Sequence, residues 1–317
     1  MSAPNVVCLA SWNVDFMARI AQPLARGQTV MSPQLQRLPG GKGSNAAVAC
    51  ARQGAQVCVI ARVGDDDLGQ MALSLWTQEG MDIGHVVRAK GESSGVALIM
   101  VYDDGDNSIA VYSGAGAGMT AQHVLAAQPQ IAQAQVLVSN CEVPLAATQA
   151  AFECARKNGV LTLLNPAPAN PVPDALWPLV DVLTPNEGEL LAHTGERDVA
   201  AAAQVLLQRG VGAVVVTLGA QGCCLYRAGL APLAVAGHAV RVVDTVGAGD
   251  TFTGTLAAAL AAARAGHTEK PQTQELQAIW PQALAQANAA AALSTQAVGA
   301  VSAMPTLEAV RAWLAQA

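Results

Sequence analysis

Aromatic side chains are scarce: the 317-residue chain holds three Phe, three Tyr and five Trp. That leaves little material for the broad aromatic walls that suit a nucleoside base. Positive charge is also short, with 17 Lys and Arg against 23 Asp and Glu and a formal net charge of -6. There is no basic block or basic stripe with interleaved aromatics, so nucleic acid is not expected as a partner. A small anionic ligand stays open, because backbone amides or a bound metal can supply local positive potential. The seven cysteines are odd in number and lack metal-type spacing, which reads as free thiols in a reducing compartment. "MSAPNVVCLASWNVD" at the N-terminus has no basic region followed by a long apolar one, so it does not read as a signal peptide. Gly, Gln or charge breaks the apolar stretches before they reach membrane-spanning length. A soluble cytoplasmic protein with no membrane partner is expected.

What is abundant is alanine, valine and leucine, in a chain long enough to bury a large core. Short β-branched runs alternate with helical stretches. "NVVCLA" (Asn5–Ala10), "QVCVIARVG" closed by Gly64, "AQVLVSN", "GVLTLLNP", "LVDVLTPN", "GAVVVTLG" and "HAVRVVD" (ending at Asp244) read as strands. Ser44–Gly54, Pro144–Asn158, Glu187–His193 and Val199–Arg209 read as helices, and the chain from Asp250 onward as mainly helical. This rhythm predicts an α/β fold, a doubly wound, mostly parallel sheet flanked by helices. Ligands then belong at the strand C-termini along one edge. Residues around Phe16–Leu38 are turn-rich, and Ser93–Gly116 reads as a β-hairpin around "DDGDN", suggesting a small inserted sheet or lid. "TEKPQTQ" (Thr268–Gln274) reads as an exposed turn.

Two glycine-rich turns carry the chemistry. In "DTVGAGDTFTGTLAAAL" (Asp244–Leu260), Gly247-Ala248-Gly249 leads into a helix expected to start at Asp250. The first amides of such a helix lack intrahelical partners and can hold an anion, and glycine leaves them open to it. Asp250 itself fits either a helix N-cap or a catalytic base. The second turn, "GGKGSNA", is not a Walker A loop, because Gly43 follows Lys42. Its match to the dinucleotide fingerprint also lacks context, since "SPQLQRLPG" before it is no buried strand.

Together, "GGKGSNAAVACARQGAQVCVIARVGDDDLG" and "DTVGAGDTFTGTLAAAL" resemble the two signatures of the ribokinase-like (PfkB) family of sugar kinases. "SNCEVPL", "LNPAPA", "DVLTPNEGE" and "TLGAQG" stand between them in family order, so the resemblance covers nearly the whole chain. It implies one kinase domain over residues 1–317, with lid segments at about 13–43 and 90–117. "NVD", "GESSGVALIMV" and "NPAPA" point within the family to a kinase that makes ribose 5-phosphate from D-ribose and ATP.

The resemblance also implies roles. Asn13, Asp15, Gly41, Lys42, Asn45 and Glu142 would hold sugar hydroxyls, which suit paired carboxylate and amide groups. Gly247, Ala248 and Gly249 would form the anion hole, with Asp250, kept at a low pKa by the helix terminus, as the base. Asn186 and Glu189 would organise the ATP phosphates and the water shell of Mg²⁺; without the resemblance they read as a helix cap and a first-turn acid. Thr217, Leu218, Gly219, Ala220 and Gly222 would carry the nucleotide, and Asn288 would line its adenine. K⁺ would sit among Asp244, Val246, Ser294, Ala297 and Gly299; the alternative is an Asp244 that only accepts backbone amides. Two departures stand out: Gly118, where family members often have Asn, and Ala303, where a small hydroxyl residue can be found. A symmetric dimer through the lid is implied as well. Competing readings are a family kinase for a different sugar, sugar acid or nucleoside, an NAD-dependent oxidoreductase, and a non-catalytic sugar sensor.

Overall fold

The computed structural model describes residues 3–104, 106–265 and 275–316, and the Thr268–Gln274 turn lies outside them. Among these residues the strands run, in chain order, β1 (Asn5–Ala10), β2 (Asn13–Arg19), β3 (Leu35–Gly40), β4 (Gln56–Gly64) and β5 (Asp82–Ala89). Next come β6 (Gly95–Val101), β7 (Asn107–Tyr112), β8 (Val136–Asn140) and β9 (Leu161–Asn165). The last are β10 (Val182–Leu183), β11 (Ala213–Thr217), β12 (Cys223–Tyr226) and β13 (Leu233–Val235). The helices are α1 (Lys42–Arg52), α2 (Asp67–Gln78), α3 (Ala121–Leu125), α4 (Gln128–Gln133), α5 (Leu145–Lys157) and α6 (Glu187–Thr194). After them follow α7 (Val199–Gln208), α8 (Ala248–Arg264), α9 (Trp280–Ser294), α10 (Ala300–Ala303) and α11 (Leu307–Leu314).

Nine strands form one sheet in the order β13-β12-β11-β10-β9-β8-β1-β4-β5. It is parallel from β11 to β5, with β12 and β13 added antiparallel at one edge. Alternation along β1 supplies both cores: Val6 and Cys8 join one buried cluster, Val7 and Leu9 the other. Ala47, Val48, Leu256 and Leu260 of α1 and α8 pack on the first face, and Ala151, Phe152 and Leu206 of α5 and α7 on the second. This is the expected doubly wound frame. The order reverses at β1, which lies between β4 and β8, a switch point that opens a crevice at the strand ends.

The second sheet has four strands in the order β3-β2-β6-β7. Its β6–β7 hairpin falls where the alternation around "DDGDN" placed it, with Val101 opposite Asn107. The stretch read as turn-rich is corrected: β2 and β3 occupy both of its ends and pair antiparallel. Their alternation was hidden because neither strand is covered on both faces, and β3 is mostly exposed or half-buried. "HAVRVVD" is also corrected. β13 ends the sheet at Val235, so the segment that follows has no strand to pair with, and Val242 and Val243 stand 57% and 52% exposed.

Candidate functional site

The strand ends of the large sheet and the base of the small one converge on a buried carboxylate cluster. α1 begins at Lys42, two residues before the predicted start, and its N-cap is Gly41 at φ 94. A Cβ at Gly41 would stand 2.6 Å from the Ser11 carbonyl oxygen, so only glycine lets this turn lie against the end of β1. One turn along, α1 packs on α8 so closely that a side chain at Gly254 would strike the Ala46 carbonyl and the Ala49 Cβ. That approach sets Asn45 against Asp250, and its Nδ2 donates to Oδ2 at 2.9 Å.

Asp250 is not the cap of its helix. α8 starts at Ala248 with Gly247 as N-cap at φ 76, so Asp250 is the helix's third residue, and it is 6% exposed. Its carboxyl does not stay low, contrary to expectation: burial pushes it up, against the Lys42 charge and the Asn45 hydrogen bond. A Cβ on Gly249 would meet nothing within 4 Å, so the space over this turn is open. At Gly247, by contrast, a Cβ would come 2.5 Å from that of Ala300.

Glu142 follows β8 and is fixed before any ligand arrives. Its Oε2 accepts from the Ser11 hydroxyl at 2.7 Å and from the Lys42 amide at 2.9 Å. Desolvation raises its pKa, with those two hydrogen bonds and the Lys42 charge opposing. Asp15 on β2 accepts from Asn13 Nδ2. Desolvation, and then the nearby Glu142 charge, push Asp15 up to about 6. Lys42 answers these acids: the Asp250 charge holds its ammonium above the ordinary value despite burial, with Glu142, Glu189 and Asp15 adding to the effect. All seven residues expected around the sugar are thus brought together.

Asn45 Oδ1 and Asn140 Nδ2 are buried in this cluster without hydrogen-bond partners. A buried orphan acceptor and a buried orphan donor fit a ligand rich in hydroxyls, which can satisfy both. Ser11, Asn140 and Asn165 were missed from the sequence. Ser11 links Glu142 to the Gly43 amide, Asn140 Oδ1 accepts from the Glu142 amide, and Asn165 Nδ2 lies 3.4 Å from Asp250 Oδ1. A signal was present: "VLVSN" and "LTLLN" both end in Asn, and in register those asparagines sit side by side.

The side chains expected around ATP are occupied differently. Asn186 caps α6, accepting from the Glu189 amide at 2.8 Å, while Glu189 accepts from the Asn186 amide at 2.9 Å, a reciprocal capping box. Asn186 bridges to Thr217 beside it. The Thr217–Gly222 turn closes through Leu218 N–H to the Gly222 carbonyl, leaving Gly219, Ala220 and Gln221 exposed. Asn288 donates to the carbonyls of Val235 and Ala236, bracing the end of β13. Asp244 accepts from the amides of Val246 at 3.0 Å and Gly299 at 2.8 Å. Its own amide and that of Val243 donate to the Thr295 carbonyl. Ser294 turns its hydroxyl to Ala291 in its own helix, and Ala297 lies exposed on the same loop.

No cluster of three or more His, Cys, Asp or Glu among the described residues could hold a metal ion by itself. Nor, among those residues, is any helix long and apolar enough to cross a membrane. The "GKGSNA" turn follows β3 of the small sheet, not a buried parallel strand, so it lacks the strand–turn–helix unit of a dinucleotide site.

Residues 3–307 match the family model described as "pfkB family carbohydrate kinase". The ribokinase of Haemophilus influenzae is 35% identical over 307 residues, covering 95% of each chain. That of Staphylococcus aureus is 34% identical over 312 residues, covering 96% of this chain and 98% of its own. Among solved structures, Arabidopsis thaliana ribokinase complexed with ribose and ATP superimposes with a TM-score of 0.87 at 29% identity, over 99% of both chains.

Proposed function

Because the chain belongs to the pfkB family of carbohydrate kinases, we propose that it transfers the γ-phosphoryl group of ATP to the primary hydroxyl of D-ribose, giving ribose 5-phosphate. The observation that carries this reading is the Asn45–Asp250 pair at the open Gly247–Gly249 turn. A buried carboxylate with a raised pKa accepts a proton readily, and Asn45 holds one of its oxygens at 2.9 Å while only the longer 3.4 Å contact from Asn165 reaches the other. As that hydroxyl attacks, Asp250 takes its proton, and the first amides of α8 meet the charge on the transferred group. Lys42 offsets the charge of the three carboxylates. Glu142, Asp15 and Asn13 take the remaining sugar hydroxyls, with the orphan groups of Asn45 and Asn140.

Nucleotide binding falls to the backbone of Thr217, Leu218, Gly219, Ala220 and Gly222, with Asn186 bridged to Thr217, Glu189 capping Asn186 and Asn288 bracing the neighbouring end of β13. Mg²⁺ fits as a hydrated ion on the ATP phosphates, since it keeps most of its waters and Glu189 can accept from them; when bound it offsets phosphate charge. K⁺ fits the oxygen-rich loop around Asp244, where two backbone amides use only part of the carboxylate's acceptor capacity. Val246, Ser294, Ala297 and Gly299 belong to the same loops.

The small sheet, from segments 13–43 and 90–117 of one kinase domain, serves as the lid. By register Asp15, Ala97 and Val111 share one face and Phe16, Leu98 and Ala110 the other. Exposed Val111 and Ile109 would cover the sugar, leaving exposed Leu98 and Tyr112 for a second copy. A homodimer follows, and light scattering that gives a monomer with and without sugar would count against it. The free thiols and acidic surface suit the cytoplasm.

A coupled ADP-release assay over pentoses, hexoses, sugar acids and nucleosides tests the substrate. D-ribose is expected to show the highest kcat/KM, since a site built to bond hydroxyls rejects analogues that lack them. Faster turnover of fructose, a sugar acid or a nucleoside would overturn the ribose assignment and leave the kinase.

A further inference from the structure

The chain enters the small sheet twice, and where it does so for the second time, after β5, and leaves again after β7, a single guanidinium holds both of these crossings. β5 leaves the large sheet at Ala89 and β6 enters the small one at Gly95; the return runs from Tyr112 through a tight turn at Gly114–Gly118. The two crossings touch, with Ala115 N–H donating to the Ser93 carbonyl at 2.8 Å. Arg62 reaches them from β4 of the large sheet. Its Nη1 and Nη2 donate to the two Glu92 carboxylate oxygens at 2.7 and 2.6 Å, and Nη1 also donates to the Ala115 carbonyl. A Cβ at Gly118 would stand 2.5 Å from Nη1 and 2.9 Å from Cζ, so the missing side chain there is what gives the guanidinium its place.

A second anchor lies two residues on, at Ser94. Asp66, the N-cap of α2, accepts from the amide and the hydroxyl of Ser94 at 2.8 and 2.7 Å, and the Gly64 amide donates to the same hydroxyl at 2.9 Å. Ser94 is fully buried, whereas the Glu92 side chain is 48% exposed. One anchor is therefore closed to water and the other is open to it. From here the register leads directly to the site: Gly95 pairs with Asn13 and Ala97 with Asp15. A tilt of β6 about Ser94 displaces the strand that carries both.

We propose that Arg62 is a positioning residue for sugar binding, setting through Glu92 and the Ala115 carbonyl the angle at which the small sheet, with Asn13 and Asp15 on its β2, stands over Asn45. The inference rests on the sugar-kinase reading and adds to it a residue outside the sugar-contacting set. Bidentate geometry fixes an orientation as well as a distance, which an ammonium cannot do. Loss of the clasp leaves Ser94 as a pivot and lowers the fraction of molecules whose lid is placed to receive the sugar.

The test is steady-state kinetics of wild type, Arg62→Met, Arg62→Lys, Glu92→Gln and the Arg62→Met/Glu92→Gln double variant. If the competent lid position becomes tenfold rarer, the KM for ribose rises about tenfold in Arg62→Met. kcat and the KM for ATP stay within about twofold, and the double variant is no worse than the single ones. Arg62→Lys is expected to recover only part of the loss. Adding tetramethylammonium chloride at fixed K⁺ should raise the ribose KM of wild type and leave the double variant unmoved, because the exposed side of the pair is screened. A wild-type ribose KM in Arg62→Met overturns the proposal, as does an equal loss in kcat and ATP affinity. Should Arg62→Met not fold, Glu92→Gln gives the same readout with a near-isosteric change. If wild type phosphorylates no sugar, the kinase reading fails and the clasp with it.

Discussion

The two halves of the site handle polar groups in opposite ways. On the proposed sugar side, side chains are the working parts: one buried and two half-buried carboxylates act on one lysine, and two amides each keep one polar atom without a partner. On the proposed nucleotide side, the side chains are engaged mainly by backbone, as the Asn186–Glu189 capping box and the two amides on Asp244 show. The difference follows from what each ligand offers. A small sugar presents hydroxyls in a stereochemistry that needs individually placed acceptors and donors. Phosphates present charge, which preset amides at turns and helix starts receive without any side chain.

This contrast can be broken by substitution. The largest effect is expected from Asp250→Asn, which keeps the Asn45 contact but removes the proton acceptor. kcat should fall by at least ~10²-fold with both substrates still binding; near wild-type turnover would reduce Asp250 to a packing residue. Next comes Glu142→Gln, where a charge-assisted bond to the sugar is lost. The ribose KM should rise by roughly 10- to 100-fold while the ATP KM stays put, and a matching rise for ATP would dissolve the distinction between the halves.

On the nucleotide side, activity in tetramethylammonium buffer should rise several-fold on adding K⁺ or Cs⁺ and less with Na⁺. Asp244→Asn should abolish the response, and a flat response in wild type would leave Asp244 as a backbone acceptor only. The smallest effect is in pH. Asp15 loses its proton near pH 6, so kcat/KM for ribose should drop about fourfold between pH 7.5 and 5.5, with no matching change for ATP. The same shift has a stability side. The folded value lies above the unfolded one, so the native state binds that proton more tightly, and the Asp15 contribution is present at low pH and lost as pH rises through about 6. Asp15→Asn should therefore raise the melting temperature at pH 7.5 and weaken sugar binding; a lower melting temperature there would show that Asp15 is paired well enough to cost nothing.

Much of this was legible along the chain, and the failures have physical causes. "NVVCLA" and "QVCVIARVG" read as strands because short, mainly apolar β-branched runs suit strands covered on both faces, and they are β1 and β4. "HAVRVVD" has a similar β-branched run but no neighbour at the sheet edge, and such a run does not report whether a partner strand exists. The stretch holding β2 and β3 failed the other way: it forms strands whose exposed faces carry no apolar pattern. Asp250 was placed at the start of its helix from the glycines before it. The helix begins two residues earlier, because the positive φ of Gly247 lets that residue act as the cap.

By itself the sequence determined the alternation of strands and helices, the two glycine turns and the residue types around them, since these depend on local spacing and backbone freedom. Only the tertiary structure decided that Asn45 holds Asp250 across 205 residues of chain, that Arg62 grips the β5–β6 connection and the return after β7, and that the site's carboxylates titrate high. Those properties come from burial and from contacts between distant segments. Desolvation and hydrogen-bond geometry depend on which atoms surround a group in space, and no local pattern in the chain encodes that.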